Sequence, residues 1–179
     1  MVAAVAGFTA RARESFHPVQ HREGGTMPTH VEFDLESSAP SEKVIAALTD
    51  FTDRRPDIWP GLSRQWYEVY SVGSTSADIR EGTGSKKGTI WAKEHYDWSQ
   101  PGLVKWTVQE SGFCAPGSFV SAKVDPKEGG GSKIHITWER EPTTMPGRVA
   151  AFLIKMTNGG PVASSFKKGL RRLEQKERG

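Results

Sequence analysis

An apolar stripe at helical spacing in the last third of the chain constrains the fold more than any other feature. Between about Pro146 and Glu174, apolar residues recur mostly at steps of three and four, which places them on one helix face. They are Val149, Phe152, Leu153, Met156, Ala163, Phe166, Leu170 and Leu173. Strand-like segments precede this helix and end at Pro142. A curved antiparallel sheet around the helix is the simplest way to bury the stripe, and such an arrangement tends to enclose a cavity.

The run Asn158-Gly159-Gly160-Pro161 interrupts the predicted helix. A proline inside a helix removes a backbone donor and clashes with the carbonyl four residues earlier. We therefore expect a kink or a break there. It is either a tolerated irregularity or a hinge that shapes the cavity mouth.

Seven segments have the residue pattern of strands. They are His30–Glu36, Gln65–Val72, Ser76–Glu81, Thr89–Asp97, Leu103–Glu110, Ser118–Asp125 and Lys133–Arg140. The first alternates strictly between apolar and acidic residues, as a half-buried strand does. Two short helices are predicted after it, one carrying Val44 to Phe51 and one between Asp53 and Gly61. Short connections between the later strands predict an antiparallel meander.

The length of 179 residues predicts one domain, residues 29–177, after a disordered extension, residues 1–28. Translation starts at Met1 or at Met27, and the sequence leaves both open. The formal net charge of +3 is too small to predict binding to nucleic acid. Cys114 is the single cysteine, so no intrachain disulfide forms, and we expect a reducing, cytoplasmic location. No apolar stretch approaches the roughly 20 residues that span a bilayer, so stable membrane insertion is not expected.

Neither a metal site nor a cofactor site is predicted. The five histidines do not pair at a helical spacing around a carboxylate. The glycine-rich segment 82–88 lacks the spacing of a phosphate-binding loop, and a strand follows it where that loop needs a helix. An exposed hairpin loop is the simpler interpretation.

The order of elements resembles a known superfamily. The residues that carry the resemblance are Val31–Leu35, Ala39–Val44, Leu48–Phe51 and Trp59-Pro60, together with the amphipathic C-terminal helix. This pattern resembles the START-like (SRPBCC) superfamily, which includes polyketide cyclase/dehydrase proteins, lipid-transfer domains and the birch pollen allergen. The resemblance covers about residues 29–176. It implies an α+β helix-grip fold, in which a curved seven-stranded antiparallel sheet surrounds a long C-terminal helix and two short helices follow the first strand.

The aromatic residues suggest a ligand pocket. Six tryptophans is a high count for this length, and several fall on apolar strand faces. On a curved sheet they would line a broad apolar pocket, which is typical of small-molecule sites. Strand parity selects Trp66, Trp106 and Trp138 as pocket residues, with Phe152 and Met156 from the helix.

Polar residues at inward positions give a sharper hypothesis. The register of Lys133–Arg140 places Arg140 on its apolar face, and one register of Thr89–Asp97 places Glu94 and Tyr96 inward. A buried arginine must be paired, so Arg140 and Glu94 pair with each other or orient a ligand, with Tyr96 as a hydrogen-bond partner. Alternatively, Arg140 ends its strand and reaches water. The opposite register of Thr89–Asp97 would bury Trp91 and His95 instead.

Three functions remain open from the sequence. The first is a carrier or sensor that binds an apolar or aromatic molecule, such as a lipid or polyketide-like compound, in an internal cavity without metal or cofactor. The second is a polyketide cyclase/dehydratase, in which Glu94, His95, Tyr96 and Arg140 are the acid/base candidates. The third is an interaction module with a vestigial pocket. The sequence leaves the oligomeric state open.

Overall fold

The structure is a computed structural model, and it describes residues 27–85 and 88–177. The predicted disordered extension, residues 1–28, lies almost entirely outside the described residues. Of the two possible start residues, Met1 lies outside them and Met27 is the first of them. Within the described ranges, no helix is long and apolar enough to cross a membrane.

The described helices and strands are largely segregated along the chain, as predicted for an α+β fold. They are β1 (Thr29–Ser37), α1 (Ser41–Leu48), α2 (Arg55–Ile58), a 3-10 turn (Arg64–Trp66), β2 (Glu68–Val72), β3 (Ser76–Ser85), β4 (Gly88–Asp97), β5 (Leu103–Ser111), β6 (Phe119–Pro126), β7 (Ser132–Arg140), α3 (Met145–Met156) and α4 (Gly160–Glu177). The order of strands and helices confirms the helix-grip architecture.

The strands form one curved antiparallel sheet in the order β1-β7-β6-β5-β4-β3-β2. Strands β2 to β7 are a meander, because each pairs with the next along the chain. β1 lies beside β7, with Val31 opposite Trp138 and Leu35 opposite Ile134. The register shifts between Lys93 and Glu94 where β4 meets β5. This topology confirms the predicted seven-stranded antiparallel sheet.

One face of the sheet is buried because its strands alternate apolar and polar residues. The inward side chains include Val31, Leu35, Ile79, Tyr96, Val104, Trp106, Val120, Ala122, Val124, Ile134, Ile136 and Trp138. Helix α4 packs against this core through buried Leu170 and partly buried Phe166 and Leu173. Burying one large apolar side chain stabilises the fold by roughly 1.5–3 kcal/mol, so this face dominates the stability.

α4 also approaches α2 closely at Gly169. A Cβ atom there would overlap the six-membered ring of Trp59. That ring is fixed because its Nε1 donates a hydrogen bond to the Ala47 carbonyl at 3.0 Å. Only glycine lets the two elements meet at this distance.

The predicted interruption of the last helix is a full break between α3 and α4. Asn158 and Gly159 both have left-handed backbone, with φ of 46° and 78°. Pro161 is the second residue of α4, where a missing N–H costs little because no helical partner exists for it. The break confirms the prediction and gives its local cause.

The prediction of one continuous buried stripe was wrong for α3. Val149, Phe152, Leu153 and Met156 are all more than half exposed. The left-handed residues end the helical periodicity after α3, so the two halves of the stripe no longer share a face. α3 instead turns its small residues inward, and Gly147 and Ala151 are the buried ones.

Candidate functional site

A large cavity of about 670 Å³ lies between α3 and the β7 end of the sheet. Its walls are mostly apolar and come from β4, the β5–β6 loop, β7, the following segment and α3. The lining residues are Ile90, Gly112, Phe113, Cys114, Trp138, Arg140, Pro142, Thr144, Pro146, Gly147, Ala150, Ala151 and Ile154. Arg140 is the one charged residue among them.

Backbone pairing fixes the wall that faces α3. The β5–β6 loop bonds to the segment after β7, because Ala115 N donates to Glu141 O at 2.8 Å and Thr143 N donates to Phe113 O at 3.0 Å. A Cβ on Gly147 would lie 2.9 Å from Phe113 O, so glycine lets the start of α3 approach this loop. Thr144 caps α3 by accepting from Gly147 N at 3.2 Å.

A buried ion pair stands at one end of this cavity. Arg140 Nη2 donates to Glu94 Oε1 at 2.6 Å, and the two residues are 7% and 4% exposed. Arg140 Nη1 is buried and has no hydrogen-bond partner in the described part of the chain. Burial raises the pKa of Glu94, and the Arg140 charge offsets this only in part. The site therefore holds a buried ion pair in which one guanidinium nitrogen has no partner.

A smaller cavity of about 160 Å³ lies on the α4 side of the core. Its lining residues are Leu48, Arg55, Trp59, Gly61, Leu62, Glu81, Thr83, Tyr96, Trp106, Ser165 and Phe166. It also contains a buried arginine and a glutamate, but their surroundings differ from those of the first pair.

Arg55 is the centre of a saturated network at the small cavity. Its Nε donates to Glu81 Oε1, its Nη1 donates to Leu48 O at 2.8 Å, and its Nη2 donates to the Tyr96 hydroxyl at 3.0 Å. Tyr96 in turn donates to Glu81 Oε2 at 3.0 Å. The guanidinium also lies over the Phe51 and Tyr96 rings, 4.8 and 5.0 Å from their centroids.

The charges of this network support each other. Burial alone would lower the pKa of Arg55, but the Glu81 carboxylate and the Tyr96 hydroxyl beside it together raise that pKa above its usual value. Burial, reinforced by Glu81, raises the pKa of Tyr96 well above its usual value. Arg55 therefore stays charged and Tyr96 stays protonated at neutral pH.

The structure divides the residues predicted for one pocket between two cavities. Trp138 and Arg140 line the large cavity, and Tyr96 and Trp106 line the small one. Glu94 is buried and contacts Arg140. Strand β4 therefore adopts the register that buries Glu94 and Tyr96, and Arg140 does not reach water as the alternative proposed.

Three predicted pocket residues lie elsewhere. Phe152 and Met156 are 61% and 69% exposed, because they are on the outer face of α3. Trp66 belongs to the 3-10 turn, since β2 begins only at Glu68. Trp66 packs against Gly82, so closely that a Cβ atom added to this glycine would lie 2.8 Å from the Trp66 Cβ. Gly82 pairs with Trp91 on the outer side of the sheet.

His95, one of the acid/base candidates, also points away from both cavities. Its Nδ1 lies 2.9 Å from Asp78 Oδ1 and its side chain is 44% exposed. Its parity in β4 is opposite to that of buried Glu94 and Tyr96, which explains its position. The described residues include no group of three His, Cys, Asp or Glu side chains placed to hold a metal ion.

Sequence reasoning missed Arg55 and Glu81. Glu81 carried a usable signal, because it continues the inward alternation of Ala77 and Ile79 on β3. Arg55 carried none, because a one-turn helix has no period from which an inward face can be read. Only the tertiary fold brings its guanidinium to Glu81.

The sequence matches one family over nearly all the described residues. The model of the family described as "Polyketide cyclase / dehydrase and lipid transport" matches residues 28–176. No curated protein is similar enough in sequence to count as a match.

Several solved structures share the fold. The protein TTHA0849 from Thermus thermophilus is 18% identical and has a TM-score of 0.65, over 80% of this chain and 96% of that one. The ZhuI aromatase/cyclase from Streptomyces sp. R1128 is 12% identical, with a TM-score of 0.64 over 83% and 93%. A START superfamily protein from Mycobacterium smegmatis is 13% identical, with a TM-score of 0.65 over 82% and 97%. At these identities the likeness establishes the fold.

Proposed function

Because the chain belongs to the polyketide cyclase / dehydrase and lipid transport family, we propose that it binds an apolar or aromatic small molecule in the large cavity, as a carrier or sensor. The volume of about 670 Å³ is within the range of roughly 300–1,000 Å³ that is usual for small-molecule pockets. Mostly apolar walls with few polar groups are also typical of such pockets.

The observation that carries the proposal is the unused donor of Arg140. A buried N–H without a partner costs free energy, and a ligand oxygen at that end of the cavity recovers it. Arg140 lines the large cavity, so its side chain is within reach of a ligand bound there. Trp138 supplies a flat apolar surface two residues away on the same strand face.

The charge balance favours an uncharged ligand. Glu94 already neutralises Arg140, so a carboxylate in the cavity would leave one buried negative charge without a counterion. A ketone, ester or phenol oxygen accepts the N–H without adding charge. We therefore assign the polar end of the ligand to a neutral acceptor and its body to an apolar ring system or chain.

A competition experiment tests this proposal. N-phenyl-1-naphthylamine reports binding by fluorescence, and 2-ethylnaphthalene, 2-acetylnaphthalene and 2-naphthoate compete for the cavity. We expect the ketone to bind roughly tenfold more tightly than the hydrocarbon, because it accepts a charge-assisted hydrogen bond. The carboxylate should not exceed the ketone. Failure of the reporter and all three competitors to bind would refute a cavity-binding function.

Two variants isolate the role of Arg140. The double variant Arg140→Met/Glu94→Met removes both charges together, so it leaves no buried ion unpaired. It should bind the ketone and the hydrocarbon equally, and near-ultraviolet circular dichroism checks that it is folded. If Arg140→Met, folded by the same criterion, binds the ketone as tightly as the unmodified protein, Arg140 does not orient the ligand.

A cyclase/dehydratase is the alternative function, and the titratable pair at the small cavity favours it. Glu81 and Tyr96 line that cavity and share a hydrogen bond, so an acid and a base stand together there. Dehydration of a β-hydroxy ketone to an enone and water is a direct assay, because the conjugated product absorbs in the ultraviolet. Turnover that Tyr96→Phe abolishes would favour the enzyme over the carrier.

A further inference from the structure

Helix α3 presents a line of large apolar side chains to solvent. Met145, Val149, Phe152 and Met156 follow one another at steps of four, three and four residues, so they form one line along the helix. Leu153 lies beside this line. All five are between 54% and 69% exposed. We call these five residues the α3 stripe.

The orientation of α3 is the reverse of that usual for a helix on a protein surface. Its inward side consists of Gly147, Ala150, Ala151 and Ile154, which face the large cavity. Its largest apolar side chains point outward. A helix that is apolar all round is normally buried on every side, and contiguous exposed apolar patches mark interaction surfaces. The fold itself gives the stripe no partner within the described residues.

The charges around the stripe indicate the partner. Between residues 142 and 166 the sequence contains two charged side chains, Arg148 and Lys155, and both are cationic. They are seven residues apart and therefore lie on one flank of α3, next to the stripe. The whole chain carries a formal +3. An apolar line flanked by cations is complementary to an anionic lipid surface.

A second copy of the chain fits this face less well. A stable protein interface involves about 20–30 residues and roughly 800 Å² on each side, and the stripe has five residues. If two copies paired through the stripe about a two-fold axis, Arg148 and Lys155 of both copies would surround one small patch. Their like charges would repel each other there.

We propose that the α3 stripe docks the protein on anionic membranes, with Phe152 and its neighbours in the boundary between headgroups and acyl chains. Arg148 and Lys155 then lie at the level of the lipid phosphates. Such docking is peripheral and reversible, because one short helix enters only about 5–10 Å. It does not depend on what the large cavity binds, although α3 forms a wall of that cavity.

Vesicle co-sedimentation of the full chain tests this proposal. The probes are phosphatidylcholine vesicles with and without phosphatidylserine. We expect clear binding to the anionic vesicles and a decrease of roughly tenfold or more for Phe152→Ser/Met156→Ser, because two large apolar contacts are lost. Lys155→Glu should weaken binding to the anionic vesicles much more than to the neutral ones.

A matched variant controls for general surface hydrophobicity. Val69 and Val72 on β2 are also exposed, at 38% and 57%. They are far from the stripe, because β2 is one edge strand of the sheet and β1, the neighbour of α3, is the other. Val69→Ser/Val72→Ser should bind vesicles as the unmodified protein does. The proposal is overturned if the unmodified protein does not bind anionic vesicles, or if the stripe variant binds equally well. A dimer in sedimentation velocity that the stripe variant dissociates would assign the face to a second copy instead.

Discussion

Two arginine–glutamate pairs are buried among residues 27–85 and 88–177, and they differ in how fully their donors are used. The side chains of Arg55 and Glu81 are 4% and 11% exposed, and those of Arg140 and Glu94 are 8% and 5% exposed. Arg55 bonds through all three of its nitrogens, whereas Arg140 Nη1 has no partner among the described residues. Similar burial therefore accompanies two different roles. The saturated pair links several elements of the fold, and the pair with a spare donor beside a large cavity is the one we propose as the ligand site.

The position of each pair supports this distinction. Arg55 joins the end of α1, through Leu48 O, to β3 and β4, through Glu81 and Tyr96. Within the described part of the chain, the Arg140 side chain has one hydrogen-bond partner, Glu94, which joins β7 to β4. Removing Arg55 disconnects several elements, whereas removing Arg140 disturbs one contact.

Arg55→Met is expected to have the largest effect. It leaves the Glu81 carboxylate buried without its partner and the Leu48 carbonyl without its donor, which together cost about 3–5 kcal/mol of unfolding free energy. Urea unfolding followed by circular dichroism measures this loss. Arg140→Met should cost clearly less, because it breaks one hydrogen bond where Arg55→Met breaks several. Equal losses of unfolding free energy in the two variants would contradict the proposed difference between the two pairs.

Tyr96→Phe should have a smaller but measurable effect on the same network. The hydroxyl accepts from Arg55 Nη2 and donates to Glu81 Oε2, so its removal leaves both partners short of one bond. A loss of about 1–3 kcal/mol in unfolding free energy is expected. Ligand affinity at the large cavity should be unchanged, because Tyr96 does not line it. If Tyr96→Phe lost ligand affinity while its stability stayed unchanged, the ligand would be assigned to the small cavity instead.

The two pairs also show what strand parity can predict. Alternation on β4 and β7 reduced the choice to two faces, because the side-chain period of a strand is two, and the structure has the register that buries Glu94, Tyr96 and Arg140. The cost of a buried charge made the pairing of Arg140 with Glu94 one of the alternatives, beside a role in orienting a ligand. Arg55 escaped prediction because its helix has only four residues and its partners are 26 and 41 residues away.

The errors at the C-terminal end have a different cause. The stripe from Val149 to Leu173 is continuous in sequence, but two left-handed residues, Asn158 and Gly159, separate it into two helices. Periodicity across a break does not define a common face. Phe152 and Met156 were therefore assigned to a pocket from which the structure excludes them.

The pH dependence of stability distinguishes the pairs further. Burial raises the folded-state pKa of Glu94 above its ordinary value of 4.5. The folded state then holds a proton that the unfolded state has released, so stability falls as pH rises from about that value through the folded pKa. The side chain introduced by Glu94→Gln cannot ionise, so the stability of this variant should not fall over that pH range. Urea midpoints from mildly acidic to neutral pH measure the difference, and parallel profiles for both proteins would contradict a raised pKa.

The smallest effect on stability is expected where the large cavity has room. Ala150→Phe projects a ring from α3 into a space of about 670 Å³, so the unfolding free energy should change by less than about 1 kcal/mol. The ring occupies the space of the ligand, so affinity for 2-acetylnaphthalene should fall. Val149→Phe is the matched control, because the neighbouring side chain is 56% exposed on the outer face. If both variants bind alike, the ligand lies outside the large cavity and Arg140 is only part of the fold.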